Sequence, residues 1–216
     1  DVRGDRRLTR PFRFAPVAVA GAGAQPTDVD ATTDFAVSPD ARFFATSPDS
    51  DSATIWAAPT QRIVGTLRSR GLGPTSFDWS RDGRLLAASG STADAVVWNI
   101  GTHKVVRRLG EPGGASGVAF SPDGTLVATA GFEGALNVYA LQSGHRIASR
   151  RLKGSLQDLD FSPDGSMLAT AGLGGDITIW DVRRHAIART IPHGDAVLTL
   201  RFAADGTEFA TGDITG

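Results

Sequence analysis

The amino-acid sequence predicts an all-β fold built from repeated four-stranded antiparallel units. A Ser-Pro-Asp-like element recurs every 41 or 42 residues, and its first position is held by Ser38, Ser80, Ser121, Ser162 and Ala203. An aromatic residue recurs with the same spacing, at Trp56, Trp98, Tyr139 and Trp180. Two independent markers with one period indicate a stack of similar units rather than one continuous sheet.

The first two segments of each unit are predicted to form a hairpin. An apolar segment ends at the Ser position, as in 117–121, and a short segment of small apolar residues follows, as in 126–130. The turn between them contains an aspartate in most units, namely Asp82, Asp123, Asp164 and Asp205. Asp-Gly between two apolar runs favours a tight hairpin, because glycine tolerates the positive φ that such turns need.

The second half of each unit contains two more short segments. The third carries the aromatic marker, as in 136–140, and the fourth follows a polar turn, as in 146–152. Short segments with β-branched residues between turns are typical of strands. Four antiparallel strands every forty residues predict one blade of a β-propeller, because stacked blades bury both apolar faces of each sheet.

These motifs resemble the WD-repeat (WD40) β-propeller family, over roughly residues 33–216. The resemblance is carried by Ile179-Trp180-Asp181 and by the Phe-Ser-Pro-Asp-Gly runs at 120–124 and 161–165. A Pro-Asp-Gly turn is shared with periplasmic propellers, but the Trp on the third strand favours the WD type. The family also has a Gly-His element before the first strand, and its only counterpart in this sequence is at His193. Where the family has an Asp, six residues before the aromatic, this chain has Ser50, Thr92, Glu133 and Gly174. The resemblance therefore implies that the family's hydrogen-bond network is mostly absent and that apolar packing replaces it.

The repeat also predicts how the chain is divided. Complete blades are expected at 34–67, 75–109, 116–152 and 156–191, with a partial blade at 196–216. Residues 1–10 align with 181–190 and are predicted to be the last strand of a preceding blade, and 11–33 an inserted loop or linker. This phase predicts a piece of a longer propeller, which the resemblance sets at about seven blades. A five-bladed ring closed by residues 6–10 would still lack a third strand. A secretion signal near the start is disfavoured by its short apolar run.

Composition narrows the function classes. The net charge of −1 does not favour nucleic acid as a partner. The absence of cysteine excludes disulfides, thiolate metal sites and cysteine nucleophiles. No apolar run approaches the roughly 20 residues of a membrane span, so we expect a cytoplasmic location. Basic residues are nearly all arginine, which suggests a GC-rich, bacterial source.

The sequence contains no recognisable catalytic, metal-binding or phosphate-binding motif. His103, His145 and His185 are predicted at one equivalent turn on three different blades, too far apart to share a metal ion. The Gly-rich stretch 110–117 leads into a strand and lacks the Lys-Ser or Lys-Thr of a phosphate-binding loop. The inner strands are expected to carry Ala, Thr, Ser and Gly, which supply no ligands. We therefore predict no catalytic residue, no cofactor and no metal.

Charged residues of both signs are predicted on one face, in the turns between second and third strands and in the connections from fourth to first strands. They are Asp49, Asp51, Arg68, Arg70, Asp94, Glu111, Glu133, Lys153 and Asp176. Mixed charge on one face suits protein recognition. The resemblance implies a non-catalytic scaffold that binds proteins or peptides, as part of a larger, signalling or regulatory polypeptide with further domains. The alternative is a small-molecule-binding or enzymatic propeller with a site at the central channel.

Overall fold

The computed structural model describes residues 34–49, 51–69, 71–91 and 94–215, and in these ranges the regular elements are eighteen β-strands in five antiparallel sheets. The predicted strand at 1–10 and the predicted loop at 11–33 lie outside the described residues. Within the described ranges there is no helix long and apolar enough to cross a bilayer. The all-β propeller prediction is confirmed.

Four sheets have four strands each, in sequence order, and the fifth has two. The first sheet contains β1 (Phe35–Val37), β2 (Phe43–Asp49), β3 (Ser52–Ala57) and β4 (Arg62–Arg68). The second contains β5 (Pro74–Trp79), β6 (Leu85–Gly90), β7 (Ala95–Asn99) and β8 (Lys104–Leu109). The third contains β9 (Ala115–Phe120), β10 (Leu126–Gly131), β11 (Ala135–Ala140) and β12 (Arg146–Arg151). The fourth contains β13 (Leu156–Phe161), β14 (Met167–Gly172), β15 (Asp176–Asp181) and β16 (Ala186–Pro192). The fifth contains β17 (Val197–Phe202) and β18 (Phe209–Asp213).

The Ser-Pro-Asp-like element closes the first hairpin of each four-stranded sheet. In the third sheet the Ser121 hydroxyl donates to Asp123 Oδ1 at 2.6 Å, and the same oxygen accepts from the Thr125 amide at 3.0 Å. Ser121 Oγ also accepts from the Leu126 amide at 2.9 Å. Gly124 follows with a φ of 69°, a conformation that favours glycine. The same Ser–Asp pair occurs at Ser38, Ser80 and Ser162. The element recurs because it satisfies a tight turn with its own side chains.

The second, third and fourth sheets each contribute to two apolar cores, one with each neighbour, and the first and fifth sheets contribute to one. On β7, Val96 and Trp98 pack with residues of the first sheet, whereas Val97 packs with Val118 and Tyr139 of the third. First strands of successive sheets lie next to one another, as β5 does with β9 and β9 with β13. The first strands are therefore innermost, and alternate residues of each middle strand are buried on opposite faces. This is the stacking of a propeller.

Candidate functional site

Two regions of the described structure gather polar side chains, and the first is the loop face. We use this name for the turns between second and third strands together with the connections from fourth to first strands, which antiparallel order places at the same end of every sheet. Hydrogen bonds join the two kinds of loop. The Gly71 amide donates to Asp51 Oδ1 at 2.7 Å, and the Leu152 amide donates to the Gly134 carbonyl at 2.8 Å.

The structure places most residues of the predicted partner face on this loop face, with differing exposure. The exposed ones are Asp51, Arg68, Glu133 and Lys153. Asp94 and Asp176 are partly buried. Arg70 and the side chain of Asp49 lie outside the described part of the chain. The exposed members carry two negative and two positive charges.

Glu111 corrects the sequence-based prediction. Its side chain is only 2% exposed, although it was expected to contribute charge to the partner face. The carboxylate accepts hydrogen bonds from Thr129 Oγ1 at 2.5 Å and Asn137 Nδ2 at 2.8 Å, and the Tyr139 hydroxyl lies 3.0 Å away. These three partners hold the group between the second and third sheets. Burial raises the pKa of Glu111, and its hydrogen bond from Thr129 opposes that rise.

The position of Glu111, ten residues before the Ser position, has a different occupant in each sheet. In the fifth sheet it is His193, whose Nε2 lies 3.7 Å from Asp213 Oδ2. In the fourth sheet it is Leu152, which packs on the apolar core. There Trp180 Nε1 and the Thr170 hydroxyl are buried without a hydrogen-bond partner among the described residues. The expectation of apolar packing therefore fits the fourth sheet, whereas in the third a buried carboxylate forms a polar network.

The aromatic markers fill the space between sheets. Trp98, Tyr139 and Trp180 are buried, and Trp56 is partly buried, with its Nε1 donating to Thr46 Oγ1 at 2.9 Å. The turn aspartates Asp82, Asp123, Asp164 and Asp205 lie at the opposite end from the loop face and are exposed. Hydrogen bonds from neighbouring hydroxyl and amide groups lower the pKa of each. The environments of the aromatic residues and of the turn aspartates therefore indicate that both sets stabilise the fold.

The second polar region lies along the innermost strands, where the sequence-based expectation of small residues without ligands was wrong. Four carboxylates belong to this region, namely Asp34, Asp78, Asp158 and Asp160. Each accepts a hydrogen bond from a main-chain amide of the next sheet, at 2.6–2.8 Å. Asp78 and Asp160 lie two residues before the Ser position, and Asp34 and Asp158 four before it. This shared phase is the signal that sequence reasoning missed.

Charge and burial at the inner strands act on the same groups. Arg201 Nη1 lies 2.6 Å from Asp158 Oδ2, and its charge also acts on Asp78 and Asp160. Burial raises the pKa of Asp78 to about 7, against its hydrogen bond from the Phe120 amide. Burial likewise raises the pKa values of Asp34 and Asp160. These carboxylates join successive sheets through hydrogen bonds.

Metal-ligating groups are dispersed in the part of the chain that the structure describes, where no three His, Cys, Asp or Glu side chains come together to hold an ion. The three turn histidines are not fully equivalent. His103 and His185 occupy one turn position with positive φ, but in the third sheet Gly144 holds that position and His145 follows it.

Comparisons with known proteins agree with this architecture. Residues 118–205 match the sequence model of the anaphase-promoting complex subunit 4 WD40 domain. The sequence matches no curated protein. Among solved structures, hydrazine synthase from Kuenenia stuttgartiensis superposes with a TM-score of 0.77 and 20% sequence identity. That match covers 88% of this chain and 57% of the synthase chain, and because the identity is only 20% it shows the fold alone. The sequence repeat, the stacked four-stranded sheets and the family match over residues 118–205 together support a β-propeller of the WD40 type.

Proposed function

We propose that this protein is a non-catalytic interaction scaffold that binds proteins or peptides through its loop face. The observation that carries the proposal is the set of exposed charges of both signs contributed by successive sheets, represented by Asp51, Arg68, Glu133 and Lys153. A surface of alternating charge selects partners by complementarity and disfavours those with the wrong pattern. In this proposal the propeller is the recruiting part of a larger signalling or regulatory protein in the bacterial cytoplasm.

The inner-strand carboxylates support this proposal because their oxygens already have partners. Asp158 Oδ2 accepts from the Leu200 amide, the Thr199 hydroxyl and Arg201. A carboxylate saturated in this way is poorly placed to bind a ligand as well.

The alternative is a small-molecule or enzymatic site at the inner strands. One observation favours it, because perturbed carboxyl pKa values are common at active sites and the pKa of Asp78 is raised to about 7. Native mass spectrometry of the protein purified from its source would test the alternative. A bound small molecule that is lost on Asp78→Asn would support it.

Affinity capture from a lysate of the source organism tests the scaffold proposal. The full chain is immobilised as wild type, as the loop-face variant Glu133→Lys/Lys153→Glu, and as the control Arg81→Glu/Glu208→Lys. The control changes exposed residues near the opposite end, and both variants keep the net charge. We expect proteins that wild type and control retain equally and that the loop-face variant retains about tenfold less. Identical capture by all three, or no specific capture by any, contradicts the proposal.

A further inference from the structure

A small cavity lies on the loop face between the second and third sheets. Its volume is about 210 Å³, and its polar wall residues are Glu111, Glu133, Asn137, Arg146, Ser149 and Arg151. Sites for drug-sized ligands usually measure about 300–1,000 Å³. This cavity therefore has room for a single side chain.

Asn137 supplies an acceptor that nothing in the described structure uses. Its side chain is only 2% exposed, and its Nδ2 donates to Glu111 Oε1 at 2.8 Å. Its Oδ1 is buried and has no hydrogen-bond partner among the described residues. A buried acceptor without a partner destabilises a fold by about 1–3 kcal/mol. A ligand with an N–H or O–H group would remove that penalty.

Arg146 supplies the complementary donor. Its side chain is exposed on β12, and its charge acts on the buried Glu111. In the described ranges its guanidinium makes no hydrogen bond, whereas Arg151 on the same wall donates to Glu133 Oε2 at 3.1 Å. Arg146 thus offers several N–H groups toward the space beside Asn137.

The charges of the wall select a neutral ligand. Two carboxylates, Glu111 and Glu133, are balanced by two guanidinium groups, Arg146 and Arg151. A charged side chain of either sign would therefore meet two like charges of the wall as well as two opposite ones. A neutral group that donates on one side and accepts on the other satisfies the wall without placing a like charge beside it.

We propose that this cavity binds the carboxamide of one Asn or Gln side chain on a partner polypeptide. The amide nitrogen donates to Asn137 Oδ1, and the amide oxygen accepts from the guanidinium of Arg146. The inference rests on the proposed function, because the carboxamide belongs to a protein that docks on the loop face.

Nuclear magnetic resonance of the ¹⁵N-labelled full chain tests the proposal. The probes are the N-acetyl methylamides of Gln, Glu and Ala, which share one backbone and differ in the side chain. We expect the Gln probe to shift the Asn137 Nδ2 and Arg146 Nε signals saturably, with a dissociation constant of about 10 mM. The Glu and Ala probes should bind about tenfold more weakly.

Two substitutions on β12 provide a matched pair. Arg146→Met should weaken the Gln probe about tenfold, because it removes the donor and keeps the bulk. Arg150→Met should leave binding unchanged, because the Arg150 guanidinium lies over the ring of Trp180, 5.4 Å from its centroid and away from the cavity. Both side chains are exposed, so neither change threatens folding.

Three results would overturn the proposal. They are equal shifts with all three probes, no saturation up to about 100 mM, and unchanged binding in Arg146→Met. The second would leave an ordered water as the partner of Asn137, and the third would exclude Arg146 as the donor to the probe. If the Gln probe fails while capture still depends on Glu133 and Lys153, only the carboxamide assignment is wrong. If capture fails as well, the scaffold proposal is wrong too.

Discussion

Asp78 should make the protein less stable as pH rises from acid to neutral. Its carboxyl accepts the Phe120 amide of the next sheet at 2.6 Å, and burial raises its pKa from 3.8 to about 7. Between pH 3.8 and about pH 7, the Asp78 carboxyl is protonated in the folded protein and ionised in the unfolded chain. The stabilisation is therefore fully present below about pH 3.8 and is lost as pH rises through about 7.

The size of the effect follows from the shift. One pKa unit corresponds to about 1.4 kcal/mol, so a rise from 3.8 to about 7 sets an upper limit of about 4 kcal/mol. Asp78 is partly reached by solvent, which reduces the effect to about 1–3 kcal/mol. Asp78→Asn keeps an oxygen acceptor for the Phe120 amide and removes the charge. From about pH 4.5 to about pH 8, wild type should lose this free energy of unfolding relative to the variant.

Urea unfolding of the full chain at several pH values measures this difference. Asp164→Asn is the control, because hydrogen bonds from Ser162 and Ser166 lower the pKa of Asp164 to about 2. The Asp164 contribution is lost only as pH falls below about 4, so its offset from wild type should be constant over the measured range. Stability curves of wild type and Asp78→Asn that stay parallel throughout would refute the reasoning.

Three further predictions use urea unfolding at one pH. Glu111→Ala leaves the buried donors of Thr129 and Asn137 without their carboxylate, while the Tyr139 hydroxyl keeps the Gly110 carbonyl as an acceptor at 2.6 Å. It should lower the free energy of unfolding by about 3 kcal/mol, whereas a loss below about 0.5 kcal/mol would mean that water replaces the network. Leu86→Ala in the core should lower it by about 2–5 kcal/mol, and the 40% exposed Val105→Ala by less than about 1 kcal/mol; similar losses would contradict the packing. Gly114→Ala and Gly124→Ala both place Ala at positive φ, but only the first sets a Cβ against the Ser91 carbonyl oxygen. The free energy of unfolding of the Gly114→Ala variant should therefore be at least about 2 kcal/mol lower than that of the Gly124→Ala variant. Equal losses in the two variants would exclude that contact.

The fold was predictable from sequence because its markers act locally. The turn is closed by the atoms of Ser121, Asp123 and Gly124 themselves, so the same residue spacing recurs in the sequence wherever this hairpin forms. The buried aromatic of β11 and its equivalents repeat for the same reason, since each fills one gap between sheets. Such signals do not depend on distant residues.

The polar regions were harder to predict because they depend on contacts between units. Asp78 accepts a hydrogen bond from an amide 42 residues later, and the third sheet has Ala119 at the equivalent position, so the acid shares the phase of the repeat without recurring in every unit. Glu111 lies in a Gly-rich loop that looks exposed, and only the meeting of Thr129 and Tyr139 across a sheet interface buries it. Burial of a charged residue is decided by tertiary packing, which periodicity does not report.

The carboxylates of the inner strands make the order of the blades chemically significant. Every such bond runs in one direction, from the amide of a later unit to the acid of the earlier one, as from Leu200 to Asp158. The third unit has Ala119 where the second and fourth have Asp78 and Asp160. It meets the fourth through the Ser116 hydroxyl, which donates to the Leu156 carbonyl at 2.5 Å, as the Thr75 hydroxyl of the second unit donates to the Ala115 carbonyl of the third. An array that grew by duplicating the second or fourth unit would inherit a ready-made coupling. A duplicate of the third unit would lack the acid for this hydrogen bond, so the order of the units affects how they are joined.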